Sequence, residues 1–323
     1  MSLQKGPQEK TILHARNKNR ERYDLEAIIV AVPELAKYVK PNKYGDDSVD
    51  FSSPIAVKLL NKALLAHYYG ILYWEFPDEN LVPPIPGRAD YIHYMADLLK
   101  ESNFGRMPEG NQIMCIDIGT GANCIYPIIG VTEYDWNFIA TDVNSNSLAS
   151  AQNIVDSNLS LKDKIICRLQ NNTNAFFNGI LQPGEKADIT ICNPPFHSSA
   201  EEAQKGTKRK VQNLSGKRVK TPELNFAGIS NELIYDGGEH RFIHKMIADS
   251  KRFSKDCYWF STLVSKQSNL KGIYLALDDF KATAVKTIEM GTGNKSTRIV
   301  AWTFLNKAEQ KEWRDARWKT LAK

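Results

Sequence analysis

Ile113-Met114-Cys115-Ile116-Asp117-Ile118-Gly119-Thr120-Gly121 is an apolar run broken only by Asp117 and followed at once by a Gly-x-Gly turn. The pattern predicts a short strand buried on both faces, ending where backbone can approach a ligand without obstruction by a Cβ atom. A helix is expected to begin near Ala122, bringing its first amide groups beside that ligand. The next apolar run, Trp136-Asn137-Phe138-Ile139-Ala140-Thr141, ends at Asp142. An acidic side chain at the end of the second strand, about 25 residues after Asp117, is placed to accept both hydroxyls of a ribose.

A later run, Ala187-Asp188-Ile189-Thr190-Ile191-Cys192, leads into Asn193-Pro194-Pro195-Phe196. The prolines fix φ and remove two amide donors, which leaves a stiff corner rich in acceptors: the Asn193 side-chain oxygen and the Pro194 carbonyl. Two neutral acceptors beside a flat ring suit a planar amine, such as the exocyclic nitrogen of adenine, held in line with a methyl donor. Asn and Pro also end strands in ordinary turns. The tetrapeptide gains weight from the Gly-x-Gly turn and Asp142 that precede it in this order. The dinucleotide fingerprint wants a third small residue where this chain has Cys124, and no Gly-x-x-x-x-Gly-Lys-Ser/Thr occurs. S-adenosylmethionine, which has no pyrophosphate to hold, fits the turn better.

Strands expected near 113–118, 136–142, 164–170, 187–192 and 256–264 alternate with helices near 146–158 and 239–252, the signature of a parallel sheet. Two last strands, 280–290 and 297–305, flank the hairpin signal Gly291-Thr292-Gly293-Asn294. This is the α/β architecture of a class I S-adenosylmethionine-dependent methyltransferase, Rossmann-like, with a mostly parallel sheet and an antiparallel last strand. Its ligand lies across the carboxyl ends of the strands, where Asp117, Gly119, Gly121, Asp142, Asn171, Asn172 and Asn193 fall. Gly119 and Gly121 are expected to pass the methionine part, and Asn171 or Asn172 to meet the adenine.

Ahead of the sheet, Asp24 caps a helix carrying Leu25, Ile28, Ile29 and Val32, and Ser53-Pro54 opens a longer one. Val82-Pro83-Pro84-Ile85-Pro86-Gly87 reads as an extended linker, with a further helix from Arg88. The chain divides into a mobile basic N-terminus (1–23), an N-terminal helical annex (24–110), a catalytic domain (111–306) and a basic C-terminal tail (307–323).

The net charge of +5 is unevenly spread. Lys205, Lys208, Arg209, Lys210, Lys217, Arg218 and Lys220 share one stretch free of acids, inside a segment (197–237) that fits neither strand nor helix. A basic lid that orders on RNA is the expectation there. Five cysteines without C-x-x-C pairing and histidines without metal spacing imply free thiols in a reducing cytoplasm and no metal. No apolar run is long enough to span a bilayer, so no membrane partner is expected.

Asp117-Ile118-Gly119-Thr120-Gly121, Asp142, Asn193-Pro194-Pro195-Phe196 and Pro86-Gly87-Arg88-Ala89-Asp90-Tyr91-Ile92-His93 together resemble the bacterial 23S ribosomal RNA adenine-N6 methyltransferase F family. That family is related to the eukaryotic methyltransferase-like U6 snRNA adenine methylases. The resemblance runs from about Asp24 to the end. It implies methyl transfer from S-adenosylmethionine to the N6 amine of one adenosine in 23S rRNA, with that RNA or a large-subunit assembly intermediate as partner. It also implies that Arg88 reaches the cofactor's carboxylate, for which a planar guanidinium is suited. The residues alone leave open a guanine-N2 RNA methylase, a protein glutamine methylase (whose motif usually ends in Tyr) and a non-catalytic RNA-binding module.

Overall fold

Seven strands form the central sheet of the computed structural model, which describes residues 13–318 apart from 22, 43, 200, 203–229 and 293–294. Val39–Pro41 (β1) and Asp47–Val49 (β2) make a separate antiparallel pair. The sheet contains β3 (Met114–Ile118), β4 (Asn137–Asp142), β5 (Ile165–Leu169), β6 (Ala187–Cys192), β7 (Cys257–Val264), β8 (Ala284–Thr292) and β9 (Lys295–Thr303). Their order is β5-β4-β3-β6-β7-β9-β8, parallel from β5 to β7 and antiparallel through β9 and β8. β3 to β5 are laid down in one direction and β6 to β7 in the other, so the switch point lies between β3 and β6. β6 and β7 are buried at every position, as strands covered on both faces must be.

Helices α1 (Leu25–Ala31), α2 (Pro54–Tyr69) and α3 (Ile85–Ser102) precede the sheet. Among or after its strands come α4 (Ile125–Tyr134), α5 (Ser145–Asp156), α6 (Leu159–Lys162), α7 (Ser230–Leu233), α8 (Gly238–Arg252), α9 (Leu270–Asp279) and α10 (Lys307–Arg317). Asp24 caps α1 by accepting the Ala27 N–H at 3.0 Å, and Ser53 caps α2 ahead of Pro54.

Three boundaries differ from expectation for local reasons. α3 starts at Ile85 rather than Arg88, because Pro86 falls in the first turn, where no N–H is needed. Arg88 is therefore held on helix rather than at its threshold. α4 starts at Ile125 rather than near Ala122: Cys124 adopts a left-handed φ of 53°, and Asn123 Oδ1 accepts the Ile125 N–H at 3.1 Å. β8 starts at Ala284 because α9 and a left-handed turn at Lys281 occupy the residues before it.

The expected divisions of the chain are also less separate than composition suggests. Ile28, Leu64, Trp74 and Met95 share one apolar cluster with Ile113, Phe138, Ile189 and Trp259, so 24–110 is continuous with one face of the sheet. Phe177, Met246, Phe260 and Trp302 form the core of the other face. Residues 13–21 are docked rather than mobile: Asp90 accepts from His14 N and Asn17 Nδ2, and Asp97 pairs with Arg16 at 2.7 Å. The C-terminal segment is likewise no detached tail as far as Trp318.

The fully buried carboxylate of Asp188 accepts the indole N–H groups of Trp313 and Trp318, each at 2.8 Å, and the Met114 N–H at 2.8 Å. It also takes Arg317 at 2.7 Å. One side chain at the start of β6 thus anchors α10. Asp188→Asn leaves Arg317 without its counter-charge, and urea unfolding should show a loss of about 3–5 kcal/mol. A loss below about 1 kcal/mol would mean that tryptophan burial alone holds α10.

Candidate active site

At the switch point the carboxyl ends of the strands border a cavity of about 370 Å³, within the range of small-molecule sites. Its walls include Gly119 and Gly121 after β3, Asp142 at the end of β4, Arg88 on α3, and Asn193 and Pro195 after β6.

Gly119 and Gly121 have φ of 74° and 65°, the left-handed region that favours glycine. Their turn is tied to β4: the Gly119 and Thr120 N–H groups donate to Thr141 O at 2.9 and 2.8 Å, and Gly121 N–H donates to Asp142 Oδ2 at 2.9 Å. With α4 starting late and these amides already used, the turn is no phosphate cradle. This corrects the expectation of helix amides facing the ligand, and it removes the feature a pyrophosphate would need. Asp142 Oδ1 accepts the Asn144 N–H at 2.8 Å. Each Asp142 oxygen keeps a lone pair for a ribose hydroxyl. Burial raises the Asp142 pKa, against its backbone hydrogen bonds.

Asp117 is fully buried, and neither of its carboxyl oxygens has a hydrogen-bond partner among the described residues. Burial first, then the charge of Asp142, push its pKa up to about 7, with the nearby Thr120 hydroxyl and Arg88 opposing. Arg88 donates to the Tyr126 hydroxyl at 2.9 Å and lies over that ring at 5.5 Å. Neither group makes an ion pair among the described residues, and a guanidinium and a carboxyl complement the carboxylate and ammonium of a free amino-acid moiety.

Asn193 lines the cavity, and its Oδ1 is buried without a partner among the described residues. Pro195 lines the cavity as well, whereas the buried Pro194 and half-buried Phe196 belong to the same corner without lining it. Asn171 and Asn172 are exposed and do not line it. Gln170 and Thr173 take that position. The reason is register: Leu169 pairs with Asp142, the Gln170 N–H still bonds Asp142 O at 2.9 Å, and the chain then turns outward. Gln170 Oε1 accepts the Asn172 N–H at 2.9 Å and holds that turn. The expected strand runs to 170 and takes in Gln170; ending it at Leu169, its last apolar residue, makes Gln170 the first polar residue beyond the strand.

Glu232 gave no signal in the sequence. From α7 its carboxylate accepts Asn80 Nδ2 at 2.8 Å and Leu81 N–H at 3.0 Å, joining segments distant in the chain at the cavity wall. The ends of the 197–237 segment meet beside it, with His197 N–H on Leu233 O and Tyr235 N–H on His197 O, each at 3.0 Å. Lys205, Lys208, Arg209, Lys210, Lys217, Arg218 and Lys220 lie outside the described residues.

A sheet of this order with such a cavity at its switch point defines a class I methyltransferase. The profile of a family described as RNA methyltransferase matches residues 7–306, and the chain belongs to that family. It is 54% identical over 313 residues to ribosomal RNA large subunit methyltransferase F of Cytophaga hutchinsonii, covering 97% of each chain. The protein of the same name from Yersinia enterocolitica is 49% identical over 313 residues, 97% of this chain and 93% of that one. Among solved structures, the human METTL16 catalytic domain in complex with a MAT2A 3′UTR hairpin superimposes with a TM-score of 0.77 at 29% identity, covering 91% of this chain and 96% of that one. The N-terminal domain of human METTL16 in complex with SAH gives 0.71 at 26% identity, covering 91% and 99%.

Asp117 makes a pH prediction. Below its ordinary pKa of 3.8 the carboxyl is protonated whether folded or not, and the shift has no effect. Above it the unfolded chain loses the proton while the folded one keeps it to about pH 7, so stability of the unliganded protein falls across that window. The fall is bounded by about 4 kcal/mol. Thermal unfolding of Asp117→Asn from pH 4 to 8 should lack this fall, and an unchanged slope would show that Asp117 ionises normally.

Proposed function

We propose that this protein transfers a methyl group from S-adenosylmethionine to the exocyclic N6 amine of one adenosine in 23S ribosomal RNA. The observation that carries the reading is the Asn193 side-chain oxygen: a buried acceptor with no donor from the described protein, in the wall of the cavity. The substrate class is supported by the near-full-length relatives named for the large ribosomal subunit, and the cofactor by the SAH complex of the human neighbour. RNA is the partner, free or in a large-subunit assembly intermediate.

S-adenosylmethionine supplies an electrophilic methyl group on a sulfonium. Arg88 would hold its carboxylate, Asp117 its ammonium and Asp142 its ribose, and Gln170, which lines the cavity, would meet the adenine in place of Asn171 and Asn172. In ground-state adenine the N6 lone pair is delocalised into the ring, which makes the nitrogen a poor nucleophile. Asn193 Oδ1 and the Pro194 carbonyl each accept one N6 proton, favouring a pyramidal nitrogen and stabilising the positive charge that develops there. Such fixed acceptors contribute a few kcal/mol each, about 2.7–4 kcal/mol for one well-aimed group. No general base is required, because the methylated ammonium is acidic enough to lose its proton to water. The base must leave its helix or loop to reach the corner, where Phe196 stacks on it for about 1–3 kcal/mol.

The direct test incubates the protein with labelled cofactor and ribosomal RNA and digests the product to nucleosides. N6-methyladenosine is expected, and label in N2-methylguanosine or in added release factor contradicts the reading. Asn193→Ala should lower kcat roughly 100- to 1000-fold while cofactor Kd, measured by calorimetry, is nearly unchanged. Loss of cofactor binding in parallel would assign Asn193 a structural role.

A further inference from the structure

Before β6 reaches the Asn193 corner it loses its backbone partner on one side. On the β3 side the ladder continues to Cys192, which lies opposite Ile118. On the β7 side it pairs Ala187 with Cys257 and Ile189 with Trp259, and goes no further. Beyond Ile189 side chains take over. The Ser261 N–H donates to Thr190 Oγ1 at 3.0 Å, and the Ser261 hydroxyl donates to the Thr190 carbonyl. The Cys192 N–H donates to the Tyr91 hydroxyl at 3.3 Å, and that hydroxyl lies 2.8 Å from Ser261 Oγ. All four residues are fully buried.

Proton counting fixes the direction of this chain. Ser261 has one hydroxyl proton and the Thr190 carbonyl takes it, so Tyr91 must donate to Ser261 and accept from Cys192. Cys192 N–H, Tyr91 O–H and Ser261 O–H then each donate once, and the Thr190 carbonyl closes the series. Burial keeps the Tyr91 hydroxyl protonated, so the order is stable.

We propose that Tyr91 is a positioning residue for methyl transfer: its hydroxyl replaces the missing β7 partner at Cys192 and sets the direction in which the chain enters Asn193-Pro194. The proposal deepens the reading of Asn193 as the amine acceptor and rests on it. Arg88 and Tyr91 are three residues apart on α3, hence on one face. Arg88 bonds the Tyr126 hydroxyl, and the Tyr91 ring meets the Tyr126 ring edge-on at 5.5 Å. One turn of helix therefore fixes both the guanidinium in the cavity wall and the end of β6. That is a physical reason for the Arg-x-x-Tyr spacing, which the cofactor contact alone leaves unexplained.

Tyr91→Phe keeps the ring and its packing and deletes the oxygen, leaving the Cys192 N–H buried without an acceptor. Since small misplacements of reacting groups slow reactions steeply, kcat should fall roughly ten- to hundredfold while cofactor Kd stays within about twofold. Hydrogen exchange followed by mass spectrometry should show faster exchange in the peptide spanning Thr190 to Phe196. Ser261→Ala breaks the same chain further on and is the second variant should Tyr91→Phe fold poorly. The double variant should be no slower than the worse single one, because the groups act as a unit. Unchanged kcat and exchange in both variants would overturn the proposal, as would kcat and cofactor affinity falling together. Should the wild type form no N6-methyladenosine, the functional reading fails, yet the exchange measurement still decides whether Tyr91 holds the corner.

Discussion

A buried hydrogen-bond acceptor left without a donor costs a fold about 1–3 kcal/mol, and this protein keeps several in one place. Asn193 Oδ1, both Asp117 oxygens and the Thr120 hydroxyl are all buried and unpartnered among the described residues. They gather around the carboxyl ends of β3 and β6, where the strand order reverses and the sheet opens. Burial in this shared environment raises the Asp117 pKa, and among the described residues Arg88 makes no ion pair. Acceptors of this kind, with the Arg88 guanidinium beside them, complement amine, ammonium and carboxylate groups, and the family membership names the class of reaction.

Contacts elsewhere in the molecule brace that open end. At the opposite end of β6, Asp188 gathers two indoles, an arginine and a backbone amide, and so ties α10 to the sheet. At the corner itself, Tyr91 and Ser261 replace a backbone ladder. α3 links these features, since it carries Arg88 and Tyr91 on one face and docks the N-terminal segment through Asp90 and Asp97. Glu232 joins α7 to the loop before α3 across the cavity wall. Segments from both ends of the chain therefore support a site whose groups all come from its middle.

What was legible in the sequence was local. Five parallel strands, the antiparallel last pair, the Gly-x-Gly turn and the stiff Asn-Pro-Pro-Phe corner follow from apolar runs and turn formers. The start of α3 falls three residues earlier than expected because a stretch with three prolines, Pro83, Pro84 and Pro86, reads as an extended linker, although a helix tolerates proline in its first turn. Asn171 and Asn172 were chosen over Gln170 because sequence shows where a strand ends only to within a residue or two, and a one-residue step changes which side chain faces the cavity. The Glu232 bridge, the Asp188 anchor and the Tyr91 chain pair residues more than a hundred positions apart, with polar side chains that periodicity reads as surface or as core. The basic C-terminus looked like a solvated tail for the same reason, since its tryptophans find their partner only in the folded chain.

The account is tested most directly by a crystal structure with SAH and an adenosine-containing ribosomal RNA fragment. The N6 nitrogen should lie within about 3.2 Å of both Asn193 Oδ1 and the Pro194 carbonyl, with the ring of Phe196 against the base. A structure in which Asn193 Oδ1 instead accepts a hydrogen bond from the protein, with the adenosine bound elsewhere, would contradict it.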